Sequence, residues 1–140
     1  MGKRIDNTGC HYLKIHRSAG NVAAYYDGML APSGVTARQY SLLYEIGEHE
    51  GCTISELSHL TELDRTTLAR SLKPLFKEGL IEDWKDAGAR NSILMLTEKG
   101  RNSRDQAKKL WKKAQKRMET VVGREKLQEM EAVMEQFRVL

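Results

Sequence analysis

The stretch from residue 53 to residue 80, TISELSHLTELDRTTLARSLKPLFKEGL, constrains the fold more tightly than any other part of the chain. It contains two helix starts in quick succession. Thr53 and Glu56 have the spacing of a capping box, and Asp64 is a strong N-cap for the segment after it. The first helix, ISELSHLTE, is short and turns Ile54, Leu57 and Leu60 inward. The second, from Asp64 to Glu78, gathers Leu68, Leu72, Leu75 and Phe76 on one face, and Gly79 suits its C-terminal end. Pro74 sits inside it. That proline removes the amide that would pair with the Arg70 carbonyl, typically at a cost of about 3 kcal/mol. Because it lies beyond the first turns, a mild bend there leaves the N-terminal half free to dock.

Around this pair the chain reads as helices with one hairpin. From about Cys10 to Leu30, apolar Ile15, Ala19, Val22, Tyr26 and Met29 recur at spacings of four and three. APSG (31–34) ends that helix. Thr36 opens a second with the capping box TARQ, placing Tyr40, Leu43 and Ile46 on a core face, and GEHEG closes it. After Gly79, LIEDWK, the turn-like DAGA and the alternating RNSILMLT predict a β-hairpin. LTEKG then starts a long helix with the stripe Ala107, Leu110, Trp111, Ala114, Met118 and Val121. A final helix carries Leu127, Met130, Met134 and Phe137. The order predicts a mostly α (α+β) fold: a winged helix-turn-helix flanked by N- and C-terminal helices whose stripes need a partner.

At 140 residues and 16.0 kDa the chain has the length of one domain. No apolar run approaches the roughly 20 residues of a membrane span, and MGKRIDNTG lacks the apolar segment of a secretory signal, so a cytoplasmic location is expected. Cys10 and Cys52 form no disulfide framework and match no zinc spacing; His49 and Cys52 lack a second ligand pair, so no metal or cofactor is expected. No phosphate-cradling glycine loop, nucleophile elbow or metalloprotease helix occurs, which argues against an enzyme; His59 reads as a surface or structural residue.

The formal net charge of +4 favours anionic partners, and its distribution says more. Opposite the leucine face of the 64–78 helix lie Thr66, Thr67, Arg70, Lys73 and Lys77, with Arg65 at the tip. Short hydroxyl side chains at a helix N-terminus suit a phosphate. Arg70, one turn in, can reach a guanine edge through two parallel hydrogen bonds, and Lys73 and Lys77 suit backbone phosphates. The bland alternative is an amphipathic core helix with a solvated back. Nine Lys or Arg against two acids between Glu98 and Arg117 pose the same choice for the long helix: phosphate contacts, including Lys108, or a solvated face.

The segments GVTARQYSLL, TISELSHLTELDRTTLARSLKPLFKEGLI and RNSILMLTEKG resemble, in order and spacing, the MarR family of bacterial transcriptional regulators, from Cys10 to about Phe137. YYDGML, LDRTTLARSLKPL and WKKAQ are most similar to a proteobacterial-type subgroup, to whose pattern the KPL proline also belongs. The resemblance implies a single domain over 1–140, with dimerisation helices at about 10–30 and 98–140 and a DNA-binding region at about 35–97. It implies a homodimer on a pseudo-palindromic double-stranded operator, with half-sites about one helical turn apart. Thr66, Thr67 and Arg70 would meet the major groove, and Arg90 corresponds to the wing arginine that enters the minor groove. The family usually carries an acid two residues before that arginine; Gly88 stands there instead, with Asp86 as the candidate substitute.

Repression released by a small phenolic or lipophilic effector is the common mode the resemblance implies. His11, Tyr12, His16, Tyr25, Tyr26 and Trp111 are the candidate lining, each with core packing or dimer contact as its simpler reading. Two other functions stay open. Cys10 lies near the helix start, where peroxide-sensing relatives place a reactive cysteine with tyrosines nearby, although its register is one or two residues off theirs. Alternatively, the fold serves as a protein-interaction module that has lost DNA reading, which would account for the missing wing acid.

Overall fold

The computed structural model describes residues 9–140, so the N-terminal segment weighed above as a signal lies almost wholly outside the described residues. Six helices and one hairpin follow in the order α1 (His11–Leu30), α2 (Ala37–Glu48), α3 (Ile54–Thr61), α4 (Arg65–Lys77), β1 (Ile81–Asp83), β2 (Leu94–Leu96), α5 (Glu98–Val122) and α6 (Arg124–Gln136). Short 3₁₀ turns, Ala31–Ser33 and Phe137–Val139, follow α1 and α6.

The local signals set most boundaries. Thr36 and Gln39 form a reciprocal capping box at α2. At α3 only half of the expected box forms: the Thr53 hydroxyl accepts from the Glu56 amide at 3.1 Å, with no return bond from the Glu56 side chain. α4 ends in a Schellman motif, the Leu80 amide donating to the Leu75 carbonyl and the Gly79 amide to that of Phe76, with Gly79 at φ +70°. The helix runs through Pro74 without a break.

β1 and β2 pair antiparallel with Ile81 opposite Leu96 and Asp83 opposite Leu94. A further bridge was not foreseen: Leu94 also meets the α2–α3 connection, its amide donating to the Cys52 carbonyl and its carbonyl accepting from the Gly51 amide, both at 2.9 Å, which ties that connection to the hairpin. The core lies between α2, α3, α4, the hairpin and the first half of α5, built on Leu42, Leu43, Ile46, Leu57, Leu68, Leu72, Leu75, Leu94 and Leu96. Leu60 and Phe76, expected inward, are instead exposed, because each sits at the edge of its helical stripe where no neighbouring element closes over it.

α5 crosses the head and continues past it, packing on α1 and α2. The flanking stripes stay largely open within one chain. Ile15 and Val22 of α1, Val121 of α5, and Met130, Val133, Met134 and Phe137 beyond are exposed, and α6 buries no side chain.

Candidate nucleic-acid interface

α4 is anchored by its leucines and presents its other side outward. Leu68, Leu72 and Leu75 are buried, while Thr66, Arg70, Lys73 and Lys77 are exposed; the three cations make no ion pair among the described residues. From Thr66 to Lys77 this row extends about 16 Å at the helical rise. The tip is braced. Asp64 accepts from the Thr67 amide and the Thr67 hydroxyl, both at 2.8 Å, and these two bonds hold its carboxyl below the usual carboxylate range. The Thr67 hydroxyl proton is thereby engaged, and the side chain is half-buried, leaving Thr66 as the open hydroxyl of the first turn. Arg65 reaches back to donate to the Ser55 hydroxyl, tying α4 to α3. The turn between them is closed by Ser58 and Thr61, whose hydroxyls donate to the carbonyls of Leu63 and Leu57.

Beyond the paired strands the wing extends through residues 84–93, with Arg90 exposed near its tip and Gly88 at φ +83° in the turn. Asp86 does not brace Arg90. Its carbonyl accepts from the Ala89 amide, and the Arg90 guanidinium makes no hydrogen bond or ion pair among the described residues. Asp83 supports the wing instead, from its base, its carboxylate accepting from the amides of Lys85 (3.0 Å) and Ile93 (2.9 Å). The first of these is an Asx turn, a signal the sequence does carry. Ser92, buried, accepts from the Ile54 amide at 3.0 Å and so links the wing to the first turn of α3. Sequence reasoning missed both residues.

A family model described as the MarR family matches residues 35–88, which span α2, α3, α4 and the start of the wing. The M. tuberculosis transcriptional regulator MosR, solved in complex with DNA, is 32% identical, with 92% of this chain and 96% of that one covered at a TM-score of 0.77. The chain belongs to the MarR family. It is therefore a transcriptional regulator by descent rather than an enzyme. The organic hydroperoxide resistance transcriptional regulator of Bacillus subtilis (strain 168) is 30% identical over 98 residues, 69% of this chain and 65% of that protein's length. The transcriptional repressor CouR, solved with p-coumaroyl-CoA, shares the fold at 22% identity and a TM-score of 0.81, with 96% of this chain and 98% of that one covered.

A cleft lies between the head and the flanking helices of this MarR-family chain, and its lining differs from the six residues expected at an effector site. A cavity of about 530 Å³ between α1, α2 and α5 is lined by Tyr26, Tyr40, Tyr44, Trp111, Lys108 and Gln115, among others. Tyr40 lies 6.1 Å from Trp111 and 6.4 Å from Tyr44, ring to ring. Of the expected set only Tyr26 and Trp111 line it. Tyr25 faces the other side, donating to the Ala114 carbonyl at 2.8 Å beneath the Arg117 guanidinium. Tyr12 stacks on His16, and with His11 both lie at the exposed start of α1, well short of the cleft. The α1 register separates them: positions 11–16 are about three turns from Tyr26. Tyr26 donates to Gln115, and burial raises the phenol pKa of both Tyr26 and Tyr40.

The cysteines part company. Cys52 is buried in the core, where desolvation and the nearby Glu56 push its thiol pKa up. Cys10, at the N-cap of α1, is exposed. The tyrosines expected beside it are not both there: Tyr26 lies about 24 Å along the same helix. The basic face of α5 is likewise not uniformly free. Arg101 pairs with Glu50 at 3.3 Å, Arg104 with Asp105 at 3.2 Å, and Lys99 donates to the Glu78 carbonyl at 2.8 Å, closing the end of α4. Among the described residues no three of His, Cys, Asp and Glu converge as a metal set, and no helix is long and apolar enough to cross a membrane.

Proposed function

We propose that this regulator acts as a cytoplasmic homodimer that represses transcription from a pseudo-palindromic operator and lets go of DNA when a small aromatic ligand binds. The observation that carries the reading is the outward row Thr66, Arg70, Lys73 and Lys77 on a capped helix whose other face is locked into the core. Arg70 reads a base edge in the major groove, Thr66, Lys73 and Lys77 hold phosphates, and Arg90 enters the minor groove. Arg65 and Thr67 serve the interface by fixing the helix tip, since their polar groups are bound to Ser55 and Asp64. Residues 10–30 and 98–140 form the dimer region, supported by the open apolar groove of about 510 Å³ that Val22, Met118, Val122, Leu127 and Met130 help to line. Residues 35–97 form the reading head.

The ligand site is the ring-lined cleft at α1, α2 and α5. Its three tyrosines and Trp111 suit a planar aromatic ligand, with Lys108 and Glu45 as the charged groups of the lining, and because it lies between head and flanking helices, filling it alters their relative placement. A second reading is favoured by one observation: Cys10 is exposed at the start of α1, and the curated Bacillus relative is named for organic hydroperoxide resistance. In that reading oxidation of Cys10 replaces ligand binding as the releasing signal. The protein-interaction alternative loses support, since the reading row is intact and unpaired.

The test is fluorescence anisotropy with the DNA upstream of the protein's own gene against a scrambled duplex, at two salt concentrations. A preference of several orders of magnitude with a steep salt slope supports the reading. Equal binding to both duplexes by the reduced protein, for this DNA and for a pool of randomised duplexes, rejects it. Release by hydroperoxide in the wild type but not in Cys10→Ser would favour the second reading.

A further inference from the structure

We infer that Arg138, at the C-terminal end of the chain, is a positioning residue for the reading helix, acting through Glu62 in the turn between α3 and α4. This rests on the assignment of α4 as the helix that reads DNA. The Arg138 guanidinium meets the Glu62 carboxylate as a fork, Nη1 to Oε1 at 3.2 Å and Nη2 to Oε2 at 3.4 Å. Its remaining edge is held by Glu135, Nε to Oε2 at 3.2 Å. Glu135 is one turn back along the same segment, so it aims the guanidinium, and the fork fixes direction as well as distance.

Glu62 is an unusual place to end such a contact. It is the one non-glycine residue at positive φ among the described residues, +57°, and it caps α3 two residues before the Asp64 cap of α4. A glycine or asparagine would adopt that left-handed conformation more readily. Holding the carboxylate from outside steadies a backbone turn that sets the angle at which α4 leaves α3. The other end of the bridge belongs to the flanking helices: Arg138 follows α6, which buries no side chain within the chain and packs on α5. The pair therefore joins the flanking helices to the turn from which the reading helix starts, across 76 residues of sequence.

All three side chains are mostly exposed, so the effect is modest and salt-sensitive. Its consequence is geometric. In a dimer, anything that ties each head to the flanking helices sets the separation of the two reading helices, and one base pair changes half-site separation by about 3.4 Å.

The experiment compares wild type, Arg138→Gln, Glu62→Gln, Arg70→Ala and the charge-exchanged pair Glu62→Arg with Arg138→Glu. The probes are an operator selected from randomised duplexes and two versions with one base pair inserted or removed between its half-sites. Each single change at the bridge is expected to weaken binding to the selected operator about two- to fivefold, the range of a well-oriented exposed pair, and to narrow the penalty for altered spacing. The exchanged pair is expected to restore the spacing penalty. Circular dichroism melts exclude a merely unfolded head. If both single variants keep the wild-type spacing penalty while Arg70→Ala loses sequence preference, the bridge has no positioning role although the reading helix is right. If Arg70→Ala keeps full preference, the reading-helix assignment fails and this inference falls with it.

Discussion

Gly100 offers the sharpest physical test of how the head is joined to α5. A Cβ added there would lie 1.9 Å from the Leu80 carbonyl oxygen and 2.9 Å from its carbon, both backbone atoms that cannot rotate aside. Carbon and oxygen approach to about 3.3 Å, so α5 would have to retreat about 1.4 Å. That retreat breaks the two bonds closing the joint, from the Thr97 amide to the Leu80 carbonyl at 3.1 Å and from the Thr97 hydroxyl to the Gly79 carbonyl at 2.6 Å. The lost bonds cost about 1–3 kcal/mol together and the overpacking about 1–3 kcal/mol, while alanine returns about 1 kcal/mol of helix propensity. Gly100→Ala should therefore destabilise the protein by about 3 kcal/mol, or about 10 °C in Tm for a chain of this size. Gly28 in α1 is the control, because nothing lies within 4 Å of its added Cβ. There the same substitution should raise stability by about 0.5–1 kcal/mol. Melts followed by far-ultraviolet circular dichroism at one fixed protein concentration measure both, since dissociation of the proposed dimer would otherwise shift the midpoint. A Gly100→Ala protein that melts at or above the wild type would refute the close approach.

Other outcomes follow from the same geometry. Arg70→Ala should lose about 1–3 kcal/mol on the selected operator and blur its sequence preference, whereas Lys73→Ala should weaken all duplexes alike and reduce the salt slope by about one; anisotropy titrations at several salt concentrations separate the two. Iodoacetamide should label Cys10 in the native protein and reach Cys52 only on unfolding, as read by mass spectrometry. Because burial raises the Cys52 thiol pKa, the folded state binds its proton more tightly than the unfolded state. Its contribution is intact below the unfolded thiol's pKa of about 8.5 and declines as pH rises above that value, a slope that Cys52→Ala should flatten in urea melts. Binding of an aromatic carboxylate in the α1–α2–α5 cleft should quench Trp111, with Trp84→Phe used to isolate that signal; an unchanged spectrum at saturating DNA release would place the ligand elsewhere.

What the sequence by itself determined is what short-range physics controls. Thr36, Asp64 and Gly79 mark helix ends because capping needs only the next three or four residues, and Leu68, Leu72 and Leu75 mark a buried face because their spacing is a property of one helix. Those signals sufficed for the helix-turn-helix, the hairpin and the outward row of α4. Tertiary structure alone decided what depends on which elements meet. Phe76 and Leu60 satisfy their stripes, yet nothing packs over them. Tyr25 and Tyr26 are adjacent on α1, but a rotation of about 100° sends one toward Ala114 and the other into the cleft beside Tyr40 and Tyr44, which only the packing of α2 could supply. The support of the wing by Asp83 and Ser92, the approach of Gly100 to Leu80, and the fork from Arg138 to Glu62 join residues far apart in the chain. No local periodicity encodes such pairs, because what makes each contact is the meeting of two elements that the chain order alone does not place together.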